Sequence, residues 1–450
     1  MNKTRILLGS ALALSLIAVM AVVTRPRPVI AKPGEVAVSK GGSVRVEARP
    51  SHTAVHANGT ELFAEYTVTL ESELGGEQPV SLALVLDTSG SMAGSKLEDA
   101  RKAAHRLVDL LGERDELALV SFGSDITTAD LRKVTPESRL AFHAAIDTLQ
   151  ASGATNISGA TEAGWTSLRR ASGARRLVLV SDGQPTVGLV TPRELSTLVG
   201  RVHDDSITVT ALGVGSDIDG NLMMNLAERG GGMYGYLANA SALEEILGRE
   251  VGAARSAVAR NVELTFQSAS LRVVEAPGRQ LDQTADERQV LHLADLRPHT
   301  PTRVLVRVES PRSSVDDRAS LSATVSWRSL HGEAQRSDVG FTVAVVEDER
   351  DVLASRDEAV FSRGVGAAGN LKLLAAAAAW ERGDSAQATS LLDNARALFG
   401  MSADALAGQS EVDATRVRFS KTTDSQGKKE FARGLERKKL SDFGKENEGY

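Results

Sequence analysis

The sequence DTSGS, from Asp87 to Ser91, places one carboxylate and two serine hydroxyls within five residues. It directly follows the apolar segment VSLALVL and precedes a segment with helical spacing of apolar residues that begins near Lys96. Such a cluster could coordinate a metal ion, bind a phosphate, supply a covalent nucleophile or cap a helix. Each possibility requires different residues elsewhere in the chain.

The motifs of common hydrolases and phosphotransferases are absent. An α/β-hydrolase elbow requires G-x-S-x-G, but Ser89 stands where the first glycine would precede Ser91. Aspartic proteases use two copies of D-T-G or D-S-G, and no second copy is present. A phosphoryl-accepting aspartate would usually need a carboxylate at position 89, no G-x-x-x-x-G-K-[ST] loop occurs, and the eight histidines form no H-E-x-x-H pair. We therefore expect no enzymatic activity.

A hard divalent cation suits the cluster better. Mg²⁺ takes about six oxygen ligands but only one or two carboxylates, which Asp87, Ser89 and Ser91 could begin to supply. Two later segments offer further oxygen atoms. GATNISGA, with Thr155, leads into a predicted helix, and LVLVSDGQPTVG carries Asp182 at the end of a predicted strand. Ligands of open α/β sheets gather at the carboxyl ends of the strands, so these segments are expected at one edge.

Helix capping is the competing interpretation of the small polar residues. Ser91 and Ser95 could cap the helix near Lys96, and Thr155 or Ser158 could cap the next one. We interpret Asn156 as a turn residue, and Asp217 and Asp219 as the start of a later helix rather than as ligands. Capping does not account for Asp87 and Asp182, because a carboxylate ending a buried strand must be paired or coordinated.

The ordered segments DTSGSM, GATNI, SDGQPTVG and GVGSDID resemble the von Willebrand factor A domain with its metal-ion-dependent adhesion site, over roughly residues 80–250. The resemblance implies Mg²⁺, or Mn²⁺ or Ca²⁺, as cofactor and a free coordination position for an acidic side chain of a protein partner. It therefore implies protein binding without turnover. The metal ligands carried over to this sequence are Asp87, Ser89, Ser91, Thr155 and Asp182.

The whole layout resembles exported bacterial proteins with such A domains and, more loosely, the inter-α-trypsin inhibitor heavy chains. Two function classes follow from the resemblance. The first is an adhesion or assembly module at the cell envelope. The second is an accessory or scaffold subunit of a chelatase-type ATPase machine, which a signal for export disfavours.

The elements that position these residues are predicted to form a doubly wound, mainly parallel α/β domain over residues 80–254. Its apolar strands read as continuous Val and Leu runs, typical of strands buried on both faces. The strands are predicted at 80–86, 116–122, 176–182 and 207–215. Amphipathic helices are predicted at 96–111, 136–149, 158–171, 192–202, 219–229 and 241–253.

Segments with a period of two flank this domain at residues 32–79 and 255–347. We expect them to form one antiparallel β-sandwich into which the α/β domain is inserted, with two unrelated β pieces as the alternative. Residues 348–402 are predicted to form a helical hairpin that turns at Gly383 and Asp384. The tail 403–450 is charged, basic towards its end, and is expected to be disordered.

Composition bounds the cellular setting. The 450-residue chain has no cysteine and a formal net charge of −6, which argues against nucleic acid as a partner. Residues 1–31 combine Lys3 and Arg5 with an uncharged run from Ile6 to Val23, typical of a signal peptide or an N-terminal membrane anchor. We therefore expect an exported protein that is periplasmic, at the cell surface, or attached to the membrane by this segment.

Overall fold

The computed structural model describes residues 30–71, 78–182, 184–215, 218–237, 240–268, 270–284, 286, 288–312, 317–330, 332–422, 424–439 and 443. The predicted export segment therefore lies almost entirely outside the described residues, as does Asp217. Within the described ranges, no helix has the length and apolar character needed to cross a membrane.

Among the described residues, four strands precede the α/β domain, and β2 alternates between buried and half-buried residues throughout, as half-buried strands do. Strands β1, β2 and β4 pair antiparallel in one sheet, whereas the short β3 joins another. They are β1 (Ala37–Gly41), β2 (Val44–Pro50), β3 (Ala54–His56) and β4 (Thr60–Leu70).

The α/β domain contains a six-stranded sheet in the order β10-β9-β8-β5-β6-β7, parallel except for β7. Its strands are β5 (Val80–Asp87), β6 (Glu116–Phe122), β7 (Ile126–Lys133), β8 (Ala174–Ser181), β9 (Thr208–Val214) and β10 (Gly231–Leu237). Its helices are α1 (Ser95–Leu110), α2 (Pro136–Asp147), α3 (Ile157–Leu168), α4 (Pro192–Asp204), α5 (Gly220–Arg229) and α6 (Ala240–Ser256).

Each face of this sheet is covered by three helices, which explains why its strands are continuously apolar. Leu84 of β5 packs into a core shared with α1, α2 and α6, whereas its neighbour Val85 packs into a second core shared with α3, α4 and α5. All eight residues of β5 are buried. The predicted doubly wound sheet is thus confirmed, with two strands, β7 and β10, that the sequence patterns had not indicated.

Seven strands in the described part of the chain follow the α/β domain and complete a β-sandwich. All of strand β15 pairs antiparallel with β4, and β3 pairs parallel with β17. Both sheets, β1-β2-β4-β15-β12 and β13-β14-β11-β16-β17-β3, therefore combine strands from either side of the α/β domain. This is the arrangement that an inserted domain produces. The strands are β11 (Arg260–Gln267), β12 (Arg272–Glu275), β13 (Asp282–Gln283), β14 (Gln289–Leu293), β15 (Thr302–Ser310), β16 (Arg318–Arg328) and β17 (Ala334–Val346).

The C-terminal part is helical and packs on the sandwich. The chain turns at Gly383, and the Asp384 side chain caps the following helix, as expected for the hairpin. Phe361 packs against Phe63 of β4, and Arg363 makes two hydrogen bonds, of 2.7 and 2.9 Å, to the buried Glu65. The helices are α7 (Glu349–Ala354), α8 (Glu358–Glu381), α9 (Ser385–Phe399), α10 (Ala407–Lys421) and α11 (Ser425–Lys439).

The prediction of a disordered tail over 403–450 is wrong for the residues that the structure describes, because α10 and α11 both lie there. Phe419 stacks on Trp380 of α8 with ring centroids 4.3 Å apart, and Phe431 meets both rings edge-on. Lys438 Nζ forms an ion pair with a Glu411 carboxylate oxygen at 2.9 Å. Part of the positive charge of the tail is therefore paired within the helical layer. A few well-placed aromatic residues thus hold a strongly charged segment in place.

A buried ion cluster joins the α/β domain to the sandwich. Arg176 of β8 lies 3.0 Å from a carboxylate oxygen of Glu250 on α6 and donates at 2.6 Å to Asp295, which follows β14. All three side chains are at most 6% exposed. Burial raises the pKa of Glu250, and the Arg176 charge acts against that rise. The guanidinium therefore supplies the positive charge that contacts two buried carboxylates at the domain junction.

We predict that Arg176→Met lowers the free energy of unfolding by about 3–5 kcal/mol, because it removes the cation that contacts both buried carboxylates. Urea denaturation measures the change. The control is Arg350→Met, which breaks an exposed ion pair with Asp348 and should cost less than about 0.5 kcal/mol. Equal stability of the two variants would contradict a structural role for the cluster.

A buried histidine lies at the same junction. His203, in the last turn of α4, is 1% exposed, and its Nδ1 lies 3.0 Å from the Gly230 carbonyl oxygen. Its ring meets that of His292, from the sandwich, edge-on at 5.3 Å. Burial, reinforced by neighbouring positive charge, lowers the pKa of His203 to about 3. The folded chain therefore holds this ring neutral where the unfolded chain would protonate it.

Below pH 6.5 the unfolded chain binds a proton at His203 that the folded chain does not bind. The free energy of unfolding should therefore decrease as the pH falls from about 6.5 to about 3. We predict that His203→Gln, whose amide can still donate to Gly230, reduces the stability loss between pH 7 and pH 5 by about 2 kcal/mol. Urea titrations at the two pH values test this. An unchanged loss in the variant would assign the acid sensitivity to other groups, such as His52, whose pKa is also lowered.

Candidate metal centre

Asp87 lies at the carboxyl end of β5, the strand between β8 and β6 in the sheet. The chain leaves β5 towards β6 on one side, while β8 lies on the other, so the loops after β5 and β8 diverge and form a crevice. Ligands of open α/β sheets bind at such positions. The order of the strands therefore explains why the DTSGS sequence lies at an edge where other loops meet.

Three loops are tied together at this edge by main-chain hydrogen bonds. The first, residues 87–91, is joined to the second, residues 152–156, by Ser152 N to the Thr88 carbonyl at 2.8 Å and Gly90 N to the Gly153 carbonyl at 3.1 Å. The second is joined to the loop after β8 by Thr186 N to the Thr155 carbonyl at 2.9 Å. The loops thus form one connected surface.

A continuous line of hydrogen bonds connects four of the five predicted ligands. The Ser89 amide donates to Asp87 Oδ1 at 2.7 Å, and the Ser89 and Ser91 hydroxyl oxygens are 3.0 Å apart. Ser91 Oγ donates to Asp182 Oδ1 at 2.8 Å. Residues far apart in the chain are therefore brought together with their oxygen atoms facing one another.

Thr155 lies at the same edge but is attached differently. It is 4% exposed, and its backbone N–H donates to the Thr186 hydroxyl at 2.8 Å. Within the described residues, its hydroxyl takes no part in the line of bonds that connects the other four. Its position in the second loop is thus fixed by main-chain bonds.

The capping interpretation of these residues does not hold. Helix α1 begins after Gly94 with no side-chain cap, so neither Ser91 nor Ser95 serves that purpose. Helix α3 is capped by Asn156, whose Oδ1 accepts from Gly159 N at 3.0 Å. The interpretation of Asn156 as a mere turn residue was wrong. Asp219 caps α5, as its assignment to a helix start predicted.

Asp87 is a buried carboxylate with no ion-pair partner among the described residues. It is fully buried, and its Oδ2 accepts from Ser181 Oγ at 2.5 Å. Burial raises the pKa of Asp87, the hydrogen bonds from Ser181 and Ser89 oppose the rise, and the charge of Asp182 adds to it. A cation at this position would stabilise the charged carboxylate, so these residues fit a divalent ion.

Lys96 and Ser181 belong to the site although the motif did not indicate them. Lys96 Nζ donates to Asp182 Oδ2 at 2.5 Å. Lys96 stands in the first turn of α1, where the helix dipole disfavours a cation, and this position is the signal that could have suggested a nearby carboxylate. The described residues contain no group of three His, Asp or Glu suited to a metal ion, so a cation here would depend on hydroxyl ligands.

The comparisons with known proteins concern the fold of the α/β domain. Residues 81–249 match the von Willebrand factor type A domain. Together with the sheet order, this match shows that the chain contains a von Willebrand factor type A domain, a domain common in protein–protein interactions.

Two curated relatives each match less than half of this chain. The uncharacterized protein YfbK of Escherichia coli is 29% identical over 197 residues, 42% of this chain and 34% of that protein. The inter-alpha-trypsin inhibitor heavy chain H2 of Sus scrofa is 30% identical over 207 residues, 43% of this chain and 22% of that protein. The chain thus spans about a third or less of the length of these relatives.

Solved structures extend the similarity to the whole architecture. A von Willebrand factor type A protein from Catenulispora acidiphila has a TM-score of 0.64 at 16% identity, covering 87% of this chain and 91% of that one. The ArnB paralog VWA2 from Sulfolobus acidocaldarius has a TM-score of 0.58 at 17% identity, covering 90% and 98%. At these identities the similarity concerns the fold alone.

We predict that Lys96→Met lowers the stability of the protein in EDTA by about 1–3 kcal/mol, because Asp182 is 2% exposed and loses its cationic partner. Saturating Mg²⁺ should stabilise the Lys96→Met variant by more than it stabilises the wild type. Thermal unfolding with EDTA or Mg²⁺ measures both effects. Lys102→Met, which removes an exposed partner of Asp99 from the same helix, is the control. A Mg²⁺ response equal to that of the wild type would contradict the role of Lys96.

Proposed function

We propose that this protein binds a protein partner through a divalent cation held at the edge of the von Willebrand factor type A domain. The supporting observation is the buried Asp87 carboxylate, which faces serine donors and has no cation beside it in the described residues. The ion would be held by Asp87, Ser89, Ser91, Thr155 and Asp182, all of which offer oxygen atoms.

The charge of the site favours a partner carboxylate as the remaining ligand. Asp87 and Asp182 are the two acidic members, and Lys96 already compensates part of the Asp182 charge. A divalent ion held by so little negative charge remains attractive to another carboxylate oxygen. Gly90 and Ser91 are exposed, which leaves the outer side of the site accessible to a partner.

Mg²⁺ is the proposed ion, with Mn²⁺ or Ca²⁺ as substitutes, because the ligand set contains only oxygen atoms. The proposed setting is the cell envelope, on the evidence of the N-terminal export pattern in residues 1–31. The proposed activity is binding without turnover.

We predict that Asp87→Asn lowers the Mg²⁺ or Mn²⁺ affinity at least about tenfold, since it removes the buried charged ligand and keeps the side-chain shape. Isothermal titration calorimetry measures the affinity. Asp219→Asn is the matched control, because it changes another aspartate that only caps a helix and an asparagine can replace it there. Equal affinity of Asp87→Asn and wild type would refute the metal site.

The partner is tested by capture from a cell-envelope extract on immobilised protein. A partner that binds through the ion should be retained in Mg²⁺, released by EDTA and lost with Asp87→Asn, but kept with Asp219→Asn. Esterification of carboxylates in the extract should abolish retention. Binding that persists in EDTA would show that the ion is not part of the contact.

A further inference from the structure

Two histidines form a symmetric contact on the surface of the α/β domain, away from the loops of the candidate metal centre. His105 of α1 and His143 of α2 place their Nδ1 atoms 2.7 Å apart. Each helix carries an aspartate four residues later, in the sequences HRLVD and HAAID. His105 Nε2 lies 3.0 Å from Asp147, and His143 Nε2 lies 3.2 Å from Asp109.

The aspartates favour hydrogen on both Nε2 atoms. A carboxylate only accepts hydrogen bonds, so a hydrogen on His105 Nε2 is donated to Asp147, and a hydrogen on His143 Nε2 faces Asp109 at 3.2 Å. In a neutral imidazole the other nitrogen is then a bare acceptor. The two Nδ1 atoms of His105 and His143 would therefore point lone pairs at each other, which requires a proton or a metal ion between them.

The ring geometry directs both lone pairs to one point. The ring centroids are 5.0 Å apart with an interplanar angle of 24°. The centroid separation is the 2.7 Å between the Nδ1 atoms plus about two distances from a ring centre to its nitrogen. Both Nδ1 atoms therefore lie between the two ring centres, and the rings meet edge to edge. Side-chain exposures of 30% for His105 and 25% for His143 leave the contact accessible from solvent.

The surrounding charge matches a divalent ion better than a single proton. Asp109 and Asp147 place two carboxylates beside the two imidazole rings. The guanidinium of Arg139 lies 4.0 Å from Asp109, but it donates to the carbonyl oxygens of Val108 and Leu111. Histidines whose outer nitrogen donates to a carboxylate are the usual arrangement around transition metals.

We propose that the His105–His143 pair binds a divalent transition-metal ion through the two Nδ1 atoms, with water completing the coordination. Imidazole nitrogen suits Zn²⁺, Ni²⁺ or Cu²⁺, whereas the oxygen-only centre at Asp87 suits Mg²⁺, so the two sites differ in chemistry. A tetrahedral Zn²⁺ with bonds of about 2.0–2.1 Å needs the nitrogens about 3.3 Å apart, which a small rotation of these accessible side chains provides. Asp109 and Asp147 are positioning residues that orient the rings.

The test measures Zn²⁺ binding to the full chain by calorimetry in saturating Mg²⁺, which keeps the Asp87 centre occupied. His105→Gln and His143→Gln should each weaken Zn²⁺ binding about tenfold or more, and Asp147→Asn should weaken it about tenfold. His299→Gln, at an exposed histidine outside the pair, is the control and should bind as the wild type does.

Two results would overturn the proposal. The first is Zn²⁺ affinity unaffected by His105→Gln; the second is Zn²⁺ binding lost in Asp87→Asn but kept in His105→Gln. Nitrogen chemical shifts of the histidines give an independent readout. The Nδ1 signals of His105 and His143 should shift on Zn²⁺ addition, and a shared proton that Zn²⁺ does not displace would leave them unchanged.

Discussion

The burial of a carboxylate at the end of the central strand is the constraint around which this protein is arranged. Asp87 is out of contact with water, and neutral donors, Ser181 and the Ser89 amide, satisfy its oxygens. A buried negative charge is tolerated only where its surroundings are ordered, since each donor must stay in place. The main-chain bonds between the three loops provide that order, and the apolar strand behind Asp87 anchors it to both cores.

Most of what positions the site could be predicted from local sequence. Continuous apolar runs form strands β5, β6, β8 and β9. Asp87 is the last residue of β5, and Asp182 directly follows β8. Strands β7 and β10 could not be predicted in the same way. The first is an edge strand with mostly accessible polar residues, and the second, GGMYGYL, is rich in glycine. Lys96 was missed because its pairing with Asp182 spans 86 positions and exists only in the folded chain.

The C-terminal helices show where composition misleads. The proportions of apolar and charged residues indicate whether a segment can form a core of its own, whereas α10 and α11 pack on a core that α8 provides. Val412 is fully buried, and Phe419 and Phe431 pack against Trp380, so a few apolar side chains at helical spacing suffice. Lys438 and Lys439 of α11 pair with Glu411 of α10, so these two cations also connect the helices to each other.

Strand β5 connects the candidate site to the junction between the α/β domain and the sandwich. The chain enters the domain at Val80, whose N–H donates to Asp115 at 2.9 Å, and leaves it near Arg255, which donates to the same carboxylate at 2.5 Å. One buried aspartate thus holds both crossing points together. Because β5 runs from this junction directly to Asp87, the strand that carries the candidate ligand is also the strand that attaches the domain to the sandwich. The buried ion cluster around Arg176 and the His203–His292 contact join the domain to the sandwich beside this strand, so several contacts fix the position of the site relative to the sandwich.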